Sequence, residues 1–206
     1  MDFIAFAIAL IIVITIHECA HAWVAYKLGD PTAKQEGRVS LNPLRHLDPL
    51  GTLLIFFVGM GWGKPTPVNP YYFQNPKRDE ALTALAGPAS NLILALFIAI
   101  IRHYTAGLMP APIDYVLATL FQVSLVLCIF NLLPFPPLDG SKIIAVFVPR
   151  RYEEAYENYL KNGLSYFIIF LLIDQFILKR YFGFSIISEF IDRVYTLLSF
   201  AIGLGV

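Results

Sequence analysis

The sequence predicts an all-α polytopic membrane protein: a bundle of about five membrane helices, with a short β or re-entrant segment between the first and second. Three observations carry this. The 206 residues are 57% hydrophobic and only 15% charged, against about 25% charge in soluble domains. Apolar runs long enough to cross a bilayer recur along the chain. Basic residues gather in alternate connections between those runs. The length suits a single membrane-embedded domain spanning residues 1–206. The formal net charge is zero, so nothing points to a nucleic-acid partner. Cys19 and Cys128 both lie in apolar runs and read as buried free thiols, not as a disulfide framework.

The first element, residues 1–25, starts with an unbroken apolar run from Phe3 to Ile16. Asp2 precedes it and no basic residue does, which argues against a cleaved secretory signal. The run continues to Ala25 and reads as a membrane helix that carries polar residues. Residues 26–80 form a long connection. Within it Thr52–Val58 is short, apolar and β-prone, followed by a Gly-rich turn and by Pro65, Pro67 and Pro70. Two readings fit: a hairpin or re-entrant segment dipping into the membrane, or a surface loop with some buried side chains.

Residues 81–140 hold two spans, Ala81–Ile101 and Tyr115–Leu133, and end in Asp139-Gly140. Residues 141–206 hold the rest. Arg150–Asn162 reads as an interfacial helix whose Tyr152, Tyr156 and Tyr159 share one face. Leu164–Leu178 is a short span with Asp174 near its end. Phe184–Val206 either spans or lies along the interface; its Glu189 and Arg193 are spaced to pair on one helix face.

Seven basic residues lie in the connection from Tyr26 to Glu80 and four in that from Pro134 to Gly163. The other two connections hold Arg102 and the pair Lys179, Arg180. Positive loops stay cytoplasmic, so the first and third connections are expected in the cytoplasm of a multi-pass protein of the cell membrane. The two His residues of the first helix and Asp139 then share the cytoplasmic side.

The chemistry concentrates in His17-Glu18-Cys19-Ala20-His21. Residues four apart lie one turn above each other, so both imidazoles face one point. Two neutral imidazoles suit zinc. Glu18 stands about 100° further round the helix, beside the metal, where a general base for water belongs. Cys19 points away from that face and reads as packing. Ionisable residues inside a membrane helix are costly and usually functional.

A catalytic zinc wants three protein ligands and one open position. The chain has four His residues. His103 lies on the opposite membrane side in this topology, and nothing positions His46, with nearby Asp48, in the long loop. A carboxylate is the remaining option. Asp139 follows a helix-ending Pro cluster and precedes Gly140, and broken backbone at membrane depth is tolerated where it lines a wet cavity. Taken alone, the same segment is also an ordinary turn. Asn131 and Asn91 are candidate donors to a developing oxyanion; helix-end capping for Asn131 and interhelical bonding for Asn91 are the plain alternatives.

His17-Glu18-x-x-His21 in a membrane helix, with Asn131-x-x-Pro134 and Leu138-Asp139-Gly140 far downstream, resembles the site-2 protease family of intramembrane metalloproteases. Gly87-Pro88-Ala89-Ser90-Asn91 also resembles a family element. The similarity runs from about Ile4 to Gly140. It implies a membrane helix bundle with a β-type segment after the first motif helix, one zinc held by His17, His21 and Asp139, and Glu18 as catalytic base. The implied activity is peptide-bond hydrolysis in or near transmembrane helices of other membrane proteins, within the lipid bilayer. Two departures are the lack of a helix ahead of the His-Glu helix and of room for a PDZ-type domain.

Two other classes compete. A membrane zinc carrier would use the His pair and Asp139 as a transit site, but has no need of Glu18. A non-proteolytic scaffold of the same fold would be expected to have lost a catalytic position, and none is missing.

Overall fold

The computed structural model describes residues 3–49, 51 and 63–202. Contacts group the chain into two compact units, residues 1–128 and 129–206.

In the first unit α1 runs from Phe3 to Lys27. Its buried side includes Leu10, Ile14, His17, His21 and Ala25, while Ile4, Ile8, Ile12 and Trp23 are exposed. That is the pattern of a helix with one protein-facing and one lipid-facing side, apolar on both. The helix stops where Gly29 adopts φ +112°. Gly29 N–H reaches the Tyr26 carbonyl and Asp30 N–H the Ala25 carbonyl, a Schellman-type end that only a left-handed residue allows. Asp30 is fully buried. Its carboxylate accepts from Thr32 at the start of the short helix α2, Thr32–Gln35, and from Asn69 N–H at 2.7 Å. One side chain thus ties both ends of the long connection to the foot of α1.

The long helix α3, Pro76–Tyr104, opens on proline at its first position and carries Pro88 inside. Its buried face is built of small residues: Ala81, Ala84, Gly87, Ala95 and Ala99. Small residues let two backbones approach closely in a membrane, and α3 lies against α1. Helix α4, Ala111–Asn131, follows a short turn. Arg102 and Asp114 brace that turn through two hydrogen bonds of 2.8 and 3.2 Å. Leu94, Leu120, Val123 and Leu127 complete a core around Ala7, Leu10, Val13 and Ile14.

In the second unit Pro134, Pro136 and Pro137 prevent helical continuation, and helix α5, Asp139–Ala145, starts afresh. A Cβ at Gly140 would stand 2.3 Å from the Leu132 carbonyl oxygen and 2.4 Å from that of Leu133. Only glycine admits this fold-back. Helix α6, Glu153–Leu172, continues through a π-helical stretch, Ile173–Phe182. Tyr156 donates to the Ser141 carbonyl at 2.6 Å and Tyr159 to the Pro134 carbonyl at 3.0 Å. Tyr156 thus fastens helix α5 to α6, and Tyr159 fastens the proline-rich turn. Leu133, Leu138 and Phe167 form the local core. Helix α7, Ile186–Ala201, is capped by Ser185, which donates in turn to the buried Asp174 at 2.5 Å. The expected Glu189–Arg193 pair forms, at 2.8 Å.

Among the described residues, four helical segments are long and apolar enough to cross a membrane: Phe3–Lys27, Pro76–Tyr104, Ala111–Asn131 and Arg150–Phe182. The chain is a multi-pass membrane protein. This corrects the expected architecture in two respects. The described residues contain no β-strand or sheet, only an isolated antiparallel bridge between Leu47 and Gly63. The residues after that bridge include Pro65, Pro67 and Pro70, which have no N–H with which to extend a ladder. The stretch Thr52–Val58 itself lies outside the described residues. Among the described residues, helices of spanning length number four against the expected bundle of about five; α7, in the segment left open between spanning and lying along the interface, has 16 residues where about 20 are needed. Arg150–Asn162, expected as an interfacial helix, forms the start of the 33-residue helical segment that ends at Phe182.

Candidate metal centre

The i, i+4 spacing does what it implies. His17 and His21 are both buried on one face of α1, and their Nε2 atoms stand 3.0 Å apart. The rings meet edge to face, centroids 4.6 Å apart at 86°. Helix α3 supplies the opposite wall. His21 Nδ1 lies 2.7 Å from the Thr83 carbonyl, and His17 Nδ1 lies 3.0 Å from the amide of Asn91. Between them comes Gly87. A Cβ there would stand 2.4 Å from His21 Nε2 and 2.5 Å from His17 Cε1. Thr83, Gly87 and Asn91 follow one another at four-residue steps, so one stripe of α3 addresses the two rings in register.

This geometry fits zinc. A carbonyl only accepts, so His21 Nδ1 carries the proton and its Nε2 presents a lone pair. That lone pair is aimed at the other imidazole's Nε2, beside a glycine whose missing side chain leaves the space open. Two neutral imidazoles with a carboxylate make an ordinary catalytic donor set.

Glu18 stands beside the pair, as its position on the helix requires. Its Oε2 accepts from both Thr66 N–H and Thr66 Oγ1, each at 2.8 Å, and Thr66 Oγ1 also reaches the Glu18 carbonyl at 3.0 Å. Thr66 was invisible to sequence reasoning, being 48 residues from Glu18 in an unpatterned loop. Its segment is itself held. Lys64 N–H donates to the His46 carbonyl at 2.7 Å, and Arg38 Nη2 donates to the Lys64 carbonyl. His46 is fully buried with its Nε2 on the Ser40 carbonyl at 2.7 Å. It thus serves the loop, and among the described residues neither it nor His103 belongs to a metal-type cluster. Burial pushes the Arg38 guanidinium below its ordinary pKa, against the pull of Glu18 and Glu36. Burial likewise pushes His46 down; the Ser40 hydrogen bond opposes this, Arg38 adds to it, and Glu18 opposes it.

In the second unit Asp139 is the first residue of α5 and is half-buried. Asn131 is the last residue of α4, also half-buried. Cys19, expected to be buried, is a half-buried free thiol.

Comparison with known proteins agrees with the site. The model of peptidase family M50 matches residues 5–109 and 100–173. YwhC of Bacillus subtilis is 45% identical over 174 residues, 81% of this chain and 78% of its own. Rip2 of Mycolicibacterium smegmatis is 28% identical over 185 residues, 86% of this chain and 69% of its own. Both carry names that class them provisionally as zinc metalloproteases. No solved structure matches significantly. With a family match covering most of its length and the His-Glu helix built as that chemistry demands, the chain belongs to peptidase family M50, the site-2 protease family its motifs resemble.

Proposed function

We propose that His17, His21 and Asp139 hold the zinc ion of this intramembrane metalloprotease and that Glu18 is its general base. The chain is a zinc metalloendopeptidase with one zinc site. The observation that carries the residue assignment is the 3.0 Å convergence of the two Nε2 atoms. Asp139 is the carboxylate that the matching family motif supplies as third donor.

Zinc held by these residues would supply Lewis acidity, lowering the pKa of a water at the site far below its bulk value, to about 7. Thr66 occupies Glu18 Oε2 twice, so Oε1 is the oxygen that takes the proton of the attacking water. The same carboxyl then delivers that proton to the leaving amine. Asn131 is the proposed side-chain donor to the oxyanion. Asn91 is placed otherwise, against His17.

The proposed substrate is a transmembrane helix of another membrane protein, which must unwind locally because helical peptide bonds are shielded. The basic connections support a site that faces the cytoplasmic side of the cell membrane.

The test is to purify the protein in detergent, measure bound zinc, and compare cleavage of membrane-protein substrates by wild type and Glu18→Gln. Zinc retained by both with cleavage lost in the variant supports the assignment. Equal cleavage refutes it, and zinc binding without any cleavage favours a carrier or scaffold.

A further inference from the structure

The two imidazoles are held at Nδ1 by unlike partners. For His21 the partner is a backbone carbonyl, which fixes Nδ1–H and cannot be changed by substitution. For His17 it is the side chain of Asn91, which is fully buried in α3. Burying an amide in a membrane helix costs free energy unless it is hydrogen-bonded.

An Asn amide offers an acceptor at one end and a donor at the other, and the two ends exchange by a half-turn of the terminal bond. With nitrogen toward the ring, His17 Nδ1 must accept. Its proton then sits on Nε2, and that nitrogen cannot bind a metal. Asn91 Oδ1 in that orientation lies buried with no hydrogen-bond partner among the described residues. With oxygen toward the ring, Nδ1–H donates to it and Nε2 presents its lone pair beside that of His21. Either orientation leaves one end of the amide unmatched within the described residues, so the needs of the ring decide.

Resting on the proposal that His17 is a zinc ligand, we infer that Asn91 is its positioning residue: Oδ1 accepts from Nδ1–H and so sets the tautomer and ring plane in which Nε2 binds the metal. The register of α3 makes this possible. Thr83 serves His21, Gly87 clears the space, and Asn91 serves His17, each one helical turn from the last. Asn91 is the one side chain in this arrangement whose chemistry selects between metal-binding and non-binding tautomers.

The test uses the purified full-length chain in detergent and measures its zinc dissociation constant by competition with a chromophoric chelator. Asn91→Leu keeps the volume and removes the acceptor. It is expected to weaken zinc binding by roughly 10- to 100-fold, the usual cost of losing such a partner. Asn91→Asp can only accept, and is expected to bind zinc at least as tightly as wild type. Wild-type affinity in Asn91→Leu overturns the inference, as does an equal loss in both variants, which would mark a packing role. Should Asn91→Leu fail to fold, Asn91→Asp decides alone, weakened binding counting against. His17→Ala separates the two levels: undiminished zinc affinity in that variant removes the ligand assignment itself, whereas its loss beside an unaffected Asn91→Leu removes only the role of Asn91.

Discussion

Thr66 donates two hydrogen bonds of 2.8 Å to a single oxygen, Oε2 of Glu18. A carboxylate held at one oxygen by a backbone N–H and a hydroxyl cannot swing away from the His pair. In the proposed mechanism its other oxygen takes the proton. Thr66→Val removes the hydroxyl and keeps the N–H. Hydrogen bonds to charged groups are worth about 1.5–3 kcal/mol, so kcat should fall by roughly tenfold or more. KM and zinc content should stay at wild-type values, and Thr66→Ser should restore kcat. Steady-state kinetics on a membrane-protein substrate checks this; an unchanged kcat in Thr66→Val contradicts it.

Gly87→Ala tests the space between α1 and α3. The new methyl group would stand 2.4 Å from His21 Nε2 and 2.6 Å from His17 Nε2, well inside van der Waals contact. The rings must turn or the helices part. Zinc affinity is expected to drop on the order of tenfold or more, and cleavage with it, while helix content by circular dichroism stays unchanged. Full zinc occupancy with wild-type activity would show that the rings do not converge beside Gly87.

His46 gives a pH signature. Burial holds its imidazole below the ordinary value of about 6.5. Above that pH both folded and unfolded chains carry it neutral, and it contributes no pH dependence. Below it the unfolded chain binds a proton that the folded chain resists. Stability therefore falls as pH drops from about 6.5 toward the folded-state value, then levels off. Melting temperatures measured between about pH 7.5 and pH 5 should decline less steeply in His46→Gln than in wild type. Identical slopes would contradict this.

Asp174 is fully buried and accepts from Ser185 Oγ, Ile186 N–H at 2.7 Å and Gln175 Nε2 at 3.1 Å. It fastens the start of α7. Asp174→Ala leaves those donors unpaired and should cost about 1–3 kcal/mol of stability. Thermal unfolding in detergent should show the loss, with cleavage at low temperature preserved.

The His-Glu helix was legible because its information is local. The spacing of His17 and His21 fixes their shared face, and Glu18 follows from the same geometry. The membrane class was legible from charge content and run length. The β segment was not legible because strand pairing is a non-local property: prolines at 65, 67 and 70 mark where a ladder cannot continue, while β-propensity reports only the local chain. Whether Phe184–Val206 spans was left open, because its apolar composition does not reveal that its helix has 16 residues. Thr66, Arg38 and Thr83 left no signal, since their roles arise only when distant loops and a second helix meet α1. Asn91 was legible as polar and buried, but not as the partner of His17.

The most direct measurement is bound zinc per chain, by elemental analysis, in wild type, His21→Ala and Asp139→Ala. About one zinc in wild type and strongly reduced zinc in both variants is the expected result for a three-ligand site. Undiminished zinc in Asp139→Ala would mean that the two imidazoles and this carboxylate do not share an ion.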